Sequence, residues 1–365
     1  MLTQCKTKNA KNVEKILHYF VMRKVFQGFP TACKKIKSMR KLNIIYFATL
    51  VLIFVSISCS DIKKIPVIFD TDANNEIDDQ HALAYLFYNS HIFDIKGITV
   101  NATYNGGKID AHYEEAKRIM QLCGWENKIP LLKGANNGFN KIKSSLDSTY
   151  YDGYKAVNFI IEEALQFSSH QKLTVLAVGK LTNIALAVKK EPLIIPNIRL
   201  VWLGSNYPEP GEYNQENDIE SLNFLLSSDI TFEMVTVRYG KPSGTDFVKV
   251  TEDDVQQRIA PLGNTIAAPV YGRHGGEYFS FGTYAISLFD NTSYYGDPPS
   301  RSLFDMAAVA IVKNPSWAKA SKIPSPILIN KKWVERPEND KKIVLWEYFD
   351  KKSILNDFYK SLTVD

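Results

Sequence analysis

Pro66-Val67-Ile68-Phe69-Asp70-Thr71-Asp72-Ala73-Asn74-Asn75-Glu76-Ile77-Asp78-Asp79-Gln80-His81 begins as a short apolar run of strand type that stops at an acid. A polar loop without Pro or Gly follows, and Ala82-Leu83-Ala84-Tyr85-Leu86-Phe87 reads as the start of a helix. Five acidic residues thus fall within ten positions at a strand-to-helix turn. In an open α/β sheet, such turns at the carboxyl ends of strands are where ligands bind. Carboxylates this close repel one another unless a cation, protons or strong donors hold them, which points to a hard, oxygen-loving metal such as Ca²⁺ or Mg²⁺. Helix capping accounts for Asp78 and Asp79 but leaves Asp70 and Asp72 without a role.

Outward from this turn the pattern alternates strand and helix. Ile95 to Val100 reads as a strand ending at Asn101, and Asn105-Gly106-Gly107 as a turn. Ile109, Tyr113, Ala116, Ile119, Met120 and Cys123 follow helical spacing, and Gly124 stops that helix. Pro130-Leu131-Leu132 is a brief strand and Ala156 to Phe167 a helix. Leu173 to Val178, almost wholly apolar, is a buried parallel-type strand, and Gly179-Lys180-Leu181-Thr182-Asn183 turns into another helix. Ile198 to Leu203 and Phe232 to Val237 are further strands, the first ending at Gly204-Ser205-Asn206. The pattern then loosens: Thr251-x-x-Asp254 is a capping box opening a helix, Ile266 to Phe289 is rich in apolar and aromatic residues, and Leu303 to Val312 is a buried helix with one acid near its start. Ile327 to Ile329 and Ile343 to Trp346 are expected to pair as late antiparallel strands, before a final helix over Asp350 to Leu362. The fold class implied is α/β: an open, mostly parallel, doubly wound sheet flanked by helices, with small additional C-terminal strands and a helix.

With 365 residues and 45% hydrophobic content, the chain can bury one large core. Its net charge of +5 is unevenly spread, since residues 1–43 hold 11 of the 44 basic residues and one of the 39 acidic ones, leaving the remainder at −5. A mildly acidic body argues against nucleic acid as a partner. Cys5, Cys33, Cys59 and Cys123 lack metal spacing, and only Cys123 lies in the body, so a disulfide framework is excluded there.

Met39-Arg40-Lys41, the apolar run from Leu42 to Ile57 and Ser58-Cys59-Ser60 have the layout of a secretory signal. The end resembles a bacterial lipoprotein cleavage site, with Cys59 as the lipidated first residue, whereas a single membrane span asks for a somewhat longer run, ~20 residues. Three segments follow: a basic extension over residues 1–38, read as misassigned or disordered, a lipoprotein-type signal over 39–59, and a single α/β domain over 60–365. The expected location is the cell envelope, anchored at a membrane through lipid with the domain outside the cytoplasm.

The ends of separate strands deliver Asp70 and Asp72, Asn101 and Asn105, and Asn206 to one sheet edge. The cluster Glu209 to Asp218 adds carboxylates and amides suited to a sugar's hydroxyls. From about Ile65 onward the chain resembles the inosine/uridine-preferring nucleoside hydrolases at four places: Asp70-Thr71-Asp72 with Asp78-Asp79; Gly179-Lys180-Leu181-Thr182-Asn183-Ile184-Ala185; Glu212-Tyr213-Asn214 with Asp218; and Asp305-Met306-Ala307. The resemblance implies one Ca²⁺ per subunit, held by Asp72, Asp79, the backbone carbonyl of Val178 and Asp305. It makes Asp72 the general base as well, and gives Asp78, Glu212 and Asn214 the ribose hydroxyls with help from Asn105 and Asn206. Its partner would be a small-molecule nucleoside, with a homo-oligomer and the base preference left open.

Two departures from the family pattern stand out. Five residues, Ala73-Asn74-Asn75-Glu76-Ile77, separate Asp72 from the acidic pair where the family usually has three, which brings Glu76 toward the site. Phe304 stands where many purine-cleaving members have the His that protonates the departing base. His274 and Glu277, on a glycine-containing turn, are the substitute candidates, although a lone His is more often structural; Tyr271, Tyr278 and Phe279 are either stacking or core residues.

Two rival readings have their own tests. Val67-Ile68-Phe69-Asp70-Thr71-Asp72 also fits the start of a haloacid-dehalogenase-type phosphatase with Asp70 as nucleophile, but Gly296-Asp297 and Asp305 are too widely spaced for its late acidic pair. A lipid-anchored, Ca²⁺-dependent nucleoside- or sugar-binding protein without turnover would need many of the same groups as the hydrolase.

Overall fold

The computed structural model describes residues 63–363. The expectations for the basic extension, the signal and Cys59 lie outside these residues. The chain runs β1 (Ile65–Thr71), α1 (Asp78–Tyr88), β2 (Phe93–Val100), α2 (Ile109–Leu122), β3 (Leu131–Lys133), α3 (Tyr154–Ala164), β4 (Leu173–Ala177), α4 (Thr182–Lys190), β5 (Ile198–Ser205), α5 (Tyr213–Asn217), α6 (Ile219–Ser227) and β6 (Thr231–Thr236). Its second half holds β7 (Lys249–Thr251), β8 (Val270–Tyr271), β9 (Glu277–Tyr278), α7 (Phe281–Asp290), β10 (Ser300–Ser302), α8 (Phe304–Lys313), β11 (Lys319–Pro324), β12 (Ile327–Ile329), β13 (Lys332–Val334), β14 (Lys342–Glu347) and α9 (Lys351–Leu362).

Eight strands form one open sheet in the order β11-β14-β6-β5-β4-β1-β2-β3, and every pairing is parallel except β11 with β14. The chain leaves β1 toward β2 and β3, then returns to add β4 on the other side of β1. Ligands of such sheets bind in the crevice at that reversal, outside the carboxyl ends of the strands. Here the reversal lies between β1 and β4, with Asp70 in register with Ala177.

The alternation of β1 explains both covering layers. Val67 and Phe69 enter one core with α1, α2, α8 and α9, whereas Ile68 enters the other with α3, α4 and α6. A strand buried on both faces needs an unbroken apolar run, and each such side chain contributes about 1.5–3 kcal/mol by its burial. Helix α8 is buried from Asp305 to Val312 and packs along α1, where Ala307, Ala308 and Ala310 permit close approach. That contact carries an acid from the far end of the chain to the first turn of α1.

The late strand pairing is corrected. Ile327–Ile329 pairs with Lys332–Val334 as a hairpin whose two turn residues, Asn330 and Lys331, have φ of 47° and 62°. Positive φ at both positions suits a tight hairpin turn and closes the pair locally. Lys342–Glu347 instead joins the main sheet between β6 and β11. Strand β11 lies at the sheet edge with three of its six residues exposed, so it has no apolar run to read. The capping box at Thr251 and Asp254 is present, but the turn it opens widens into a π-helix over Val255–Ile259.

Candidate functional site

Asp70, at the end of β1, is fully buried and accepts from Thr99 Oγ1 at 2.6 Å, Asn101 Nδ2 at 2.8 Å and Asn183 Nδ2 at 2.7 Å. Burial raises its carboxyl to about 6 against the pull of these three donors. An acid enclosed in this way is a structural post beneath the site, without the access a nucleophile needs, which removes the phosphatase reading. Thr99, Asn101 and Asn183 tie the ends of β1 and β2 to the start of α4.

Above Asp70, the first turns of α1 and α8 meet. Asp78 and Asp79 come from one and Asp305 from the other, and one carboxylate oxygen from each lies within 4.8 Å of the others. Neither helix has a side-chain N-cap, so the first-turn N–H groups of both are without a capping side chain. The positive ends of two helix dipoles therefore converge on the acids. Thr71 Oγ1 donates to Asp79 Oδ1, and Thr103 Oγ1 donates to Asp72 Oδ2 at 2.6 Å. Burial first, then neighbouring carboxylates, pushes Asp72 and Asp78 up to about 7 and Asp79 and Asp305 well above the usual range. Three buried carboxylates facing one another, their charge opposed by burial, are a donor set that fits a hard cation with oxygen ligands.

This geometry differs from the sequence expectation in one respect. The closest triad contains Asp78, which the resemblance assigns to the sugar, while Asp72 is held by Thr103 and lines the same cavity. The five-residue loop makes a turn in which Asn75 N–H donates to Asp72 O at 2.9 Å, before the helix starts at Asp78.

A cavity of about 600 Å³ opens over the acids. Asp72, Asp78, Asp79, Asp305, Glu212 and Asn214 line it, as does Val178 at the end of β4. Glu212 is the N-cap of α5 and accepts from Gln215 N–H at 2.8 Å, and its carboxyl is raised by burial to about 7. Asn214 Nδ2 donates to Val178 O at 2.7 Å and to Leu203 O at 3.2 Å. Its Oδ1 is buried with no protein partner, an acceptor available to a hydroxyl.

Three expected residues lie outside the cavity wall. Asn105 is exposed, and its backbone N–H donates to the Tyr213 hydroxyl at 2.9 Å. Both polar ends of the Asn206 side chain are engaged, with Pro210 O at 2.8 Å and Tyr239 N–H at 3.2 Å, so it braces the neighbouring loop. His274 is exposed on the β8–β9 turn, where Arg273 Nε donates to its Nε2 at 3.0 Å. Glu277 is exposed on the same ribbon.

Sequence reasoning passed over Thr103, Lys180, Tyr239, Lys249, Tyr295 and Arg301. Lys180 is buried beside Asp70 and Asp72 and donates to Asn137 O at 2.9 Å; burial lowers its ammonium while Asp218 and the other acids oppose that shift. Lys180 does belong to a quoted motif, and that position was the available signal. Arg301 sits in a Ser-Arg-Ser run that carries no periodicity at all.

Fold and site together define an α/β protein with an acid-lined cavity at the sheet reversal. A family profile described as inosine-uridine preferring nucleoside hydrolase matches residues 67–342, and the chain belongs to that family. Among curated relatives it is 26% identical over 192 residues to the non-specific ribonucleoside hydrolase RihC of Klebsiella pneumoniae, covering 47% of this chain and 60% of that protein. It is 27% identical over 190 residues to RihC of Salmonella paratyphi A, covering 46% and 60%. The chain thus spans about three fifths of these relatives. Its fold is shared with a plant nucleoside hydrolase, PpNRh1, at a TM-score of 0.64 and 18% identity over 83% of this chain and all of that one. It is also shared with a purine-preferring ribonucleoside hydrolase from Gardnerella vaginalis, at a TM-score of 0.60 and 20% identity over 81% of this chain and 98% of that one.

Proposed function

We propose that this protein hydrolyses the N-glycosidic bond of ribonucleosides, giving ribose and free base. The observation that carries the reading is the convergence of Asp78, Asp79 and Asp305 within 4.8 Å of one another at the floor of a cavity that Asp72, Glu212 and Asn214 also line.

Asp72, Asp78, Asp79, Asp305 and the Val178 carbonyl are the groups that would hold a Ca²⁺. Such an ion supplies Lewis acidity toward a water and a seat for adjacent hydroxyls. The protein side of the chemistry follows from its own residues. Asp72 has one oxygen held by Thr103, which leaves the other to take a proton from a water. Glu212 and Asn214 accept hydrogen bonds from ribose hydroxyls and fix the sugar's orientation. Loss of the base leaves an oxocarbenium-like sugar, and the surrounding carboxylates stabilise its positive charge.

The test is ribose release from a nucleoside panel. Turnover that stops with chelator and with Asp72→Asn supports the reading; tight nucleoside binding with no ribose released from any member overturns it in favour of a receptor. The proposal includes an envelope location through a lipid on Cys59, read out as the acylated N-terminal mass of the purified protein.

A further inference from the structure

The cavity lining also holds basic and aromatic residues that the proposed chemistry has not used. Arg301 lines the cavity from β10, and Tyr239, Tyr295 and Phe304 line it as well. The Arg301 side chain is 11% exposed, yet among the described residues its only carboxylate partner is Glu76, from the lengthened acidic loop, whose own side chain is 45% exposed. The guanidinium carbon stands 5.6 Å from the centre of the Tyr295 ring, and Nε is buried with no partner. Tyr239 and Phe304 meet edge to face at 6.0 Å. A guanidinium carries five N–H donors in a rigid fork and accepts nothing, so this one has donors to spare. Glu76 takes one arm of the fork, and the donors left over match a planar ligand with two adjacent acceptors.

Resting on the nucleoside-hydrolase reading, we infer that Arg301 is the leaving-group residue and that it selects 6-oxopurine nucleosides, its fork reaching O6 and N7 of the base. Those two acceptors lie side by side on hypoxanthine and guanine, whereas adenine offers an amino donor in place of O6. A pyrimidine leaving from N1 presents no comparable pair. The flanking aromatic rings supply apolar faces for the base.

In the step itself the C1′–N9 bond breaks and its electron pair goes to N9, spreading over the purine to N7 and O6. Arg301 donates two hydrogen bonds to that developing anion and keeps its own protons. The water oxygen bonds to C1′, its proton goes to Asp72, and the purine anion takes a proton from solvent. Sugar and base leave with the atoms of one water shared between them. A permanently charged donor thus fills the role that the family's missing histidine would have had at the Phe304 position.

The experiment compares kcat/KM for inosine, adenosine and p-nitrophenyl β-D-riboside in wild type, Arg301→Gln and Arg301→Lys. Nitrophenolate delocalises its own charge and departs without help from a donor, so turnover of the riboside reports on sugar binding, water activation and folding. Wild type is expected to prefer inosine over adenosine by about 10- to 100-fold. Arg301→Gln should lose about 100-fold on inosine, the scale of removing one preorganised donor, and under about threefold on the nitrophenyl riboside. Arg301→Lys, which keeps the charge without the fork, should fold and recover only a small part of the inosine rate. Equal losses on both substrates, unchanged inosine turnover or a wild-type preference for adenosine would overturn the assignment. Wild type that cleaves neither inosine nor the riboside would instead remove the hydrolase reading on which it rests.

Discussion

Asn183 Nδ2 donates to Asp70 Oδ2 across 2.7 Å, joining two residues 113 positions apart in the chain. The same amide donates to Val100 O at 3.1 Å, and its Oδ1 accepts from Ala135 N–H at 2.8 Å. One side chain at the start of α4 therefore holds the ends of β1 and β2 and the loop after β3. The acids of the site stand on this crossing point, and its order fixes theirs.

Replacing Asp70 by Asn should break it. Three donors point at the Asp70 carboxylate, and an amide NH₂ turned toward any of them leaves buried groups unsatisfied. Asp70→Asn is expected to lose about 3 kcal/mol of stability, read as a lower urea midpoint at unchanged slope. An unchanged midpoint would mean that the carboxylate is already protonated and donating.

Cation binding at the triad should expel protons. With no ion present, burial and mutual repulsion raise the Asp78 carboxyl to about 7 and those of Asp79 and Asp305 well above the usual range. At pH 6 these acids hold protons that Ca²⁺ must displace, so affinity weakens as the pH falls. Calorimetric titration with Ca²⁺ at pH 6 should give a heat that varies with the ionisation enthalpy of the buffer. Asp305→Asn should abolish the binding. A heat independent of buffer would show that the acids are already ionised.

His81 offers a separate pH response, in stability. Nδ1 faces the Ile77 carbonyl at 2.6 Å, and the rings of Phe281, Phe289 and Phe358 surround the imidazole at 5.3, 5.2 and 6.0 Å. Burial lowers its value from 6.5 to about 4. The unfolded chain takes up this proton before the native state does, so stability falls as the pH drops through that interval. Between pH 7.5 and pH 5 the wild type should lose about 2 kcal/mol more than His81→Leu, which has no proton to bind. The same gap at both pH values would contradict a buried neutral imidazole.

The sheet was legible because its strands are buried on both faces and so read as continuous apolar runs, as Leu173 to Val178 does. The acids of β1 and α1 were legible because crowded carboxylates have few structural explanations. Strand β11 was not, since an edge strand half open to water needs no pattern. Asn206 and Asn105 were misplaced for a related reason: the sheet-edge rule brings strand ends together but says nothing about which way an amide turns in a loop. Arg301 gave no signal because its burial depends on the β7–β10 ribbon, a contact across some fifty residues that no local spacing encodes.

Gly179 provides the sharpest check on where Asp72 stands. A Cβ added there would lie 2.8 Å from Asp72 Oδ1 and 2.8 Å from Asn101 Nδ2, closer than real Cβ contacts allow. The residue could not simply retreat, because Trp202 Nε1 donates to the Gly179 carbonyl at 3.0 Å and fixes the backbone from behind. Asn101 is bound to the buried Asp70 and Asp72 to Thr103, but only Asp72 borders the cavity, so Asp72 is the side chain with room to yield. Gly179→Ala should therefore displace the proton acceptor by a fraction of an ångström while leaving both cores untouched. The expected result is ribose release reduced by about 100-fold, the scale on which misplacing a reacting group acts, with a thermal midpoint lowered by only a few degrees. Turnover at the wild-type rate would place Asp72 away from the reacting water, and the general base would then have to be sought among Asp78, Asp79 and Glu212.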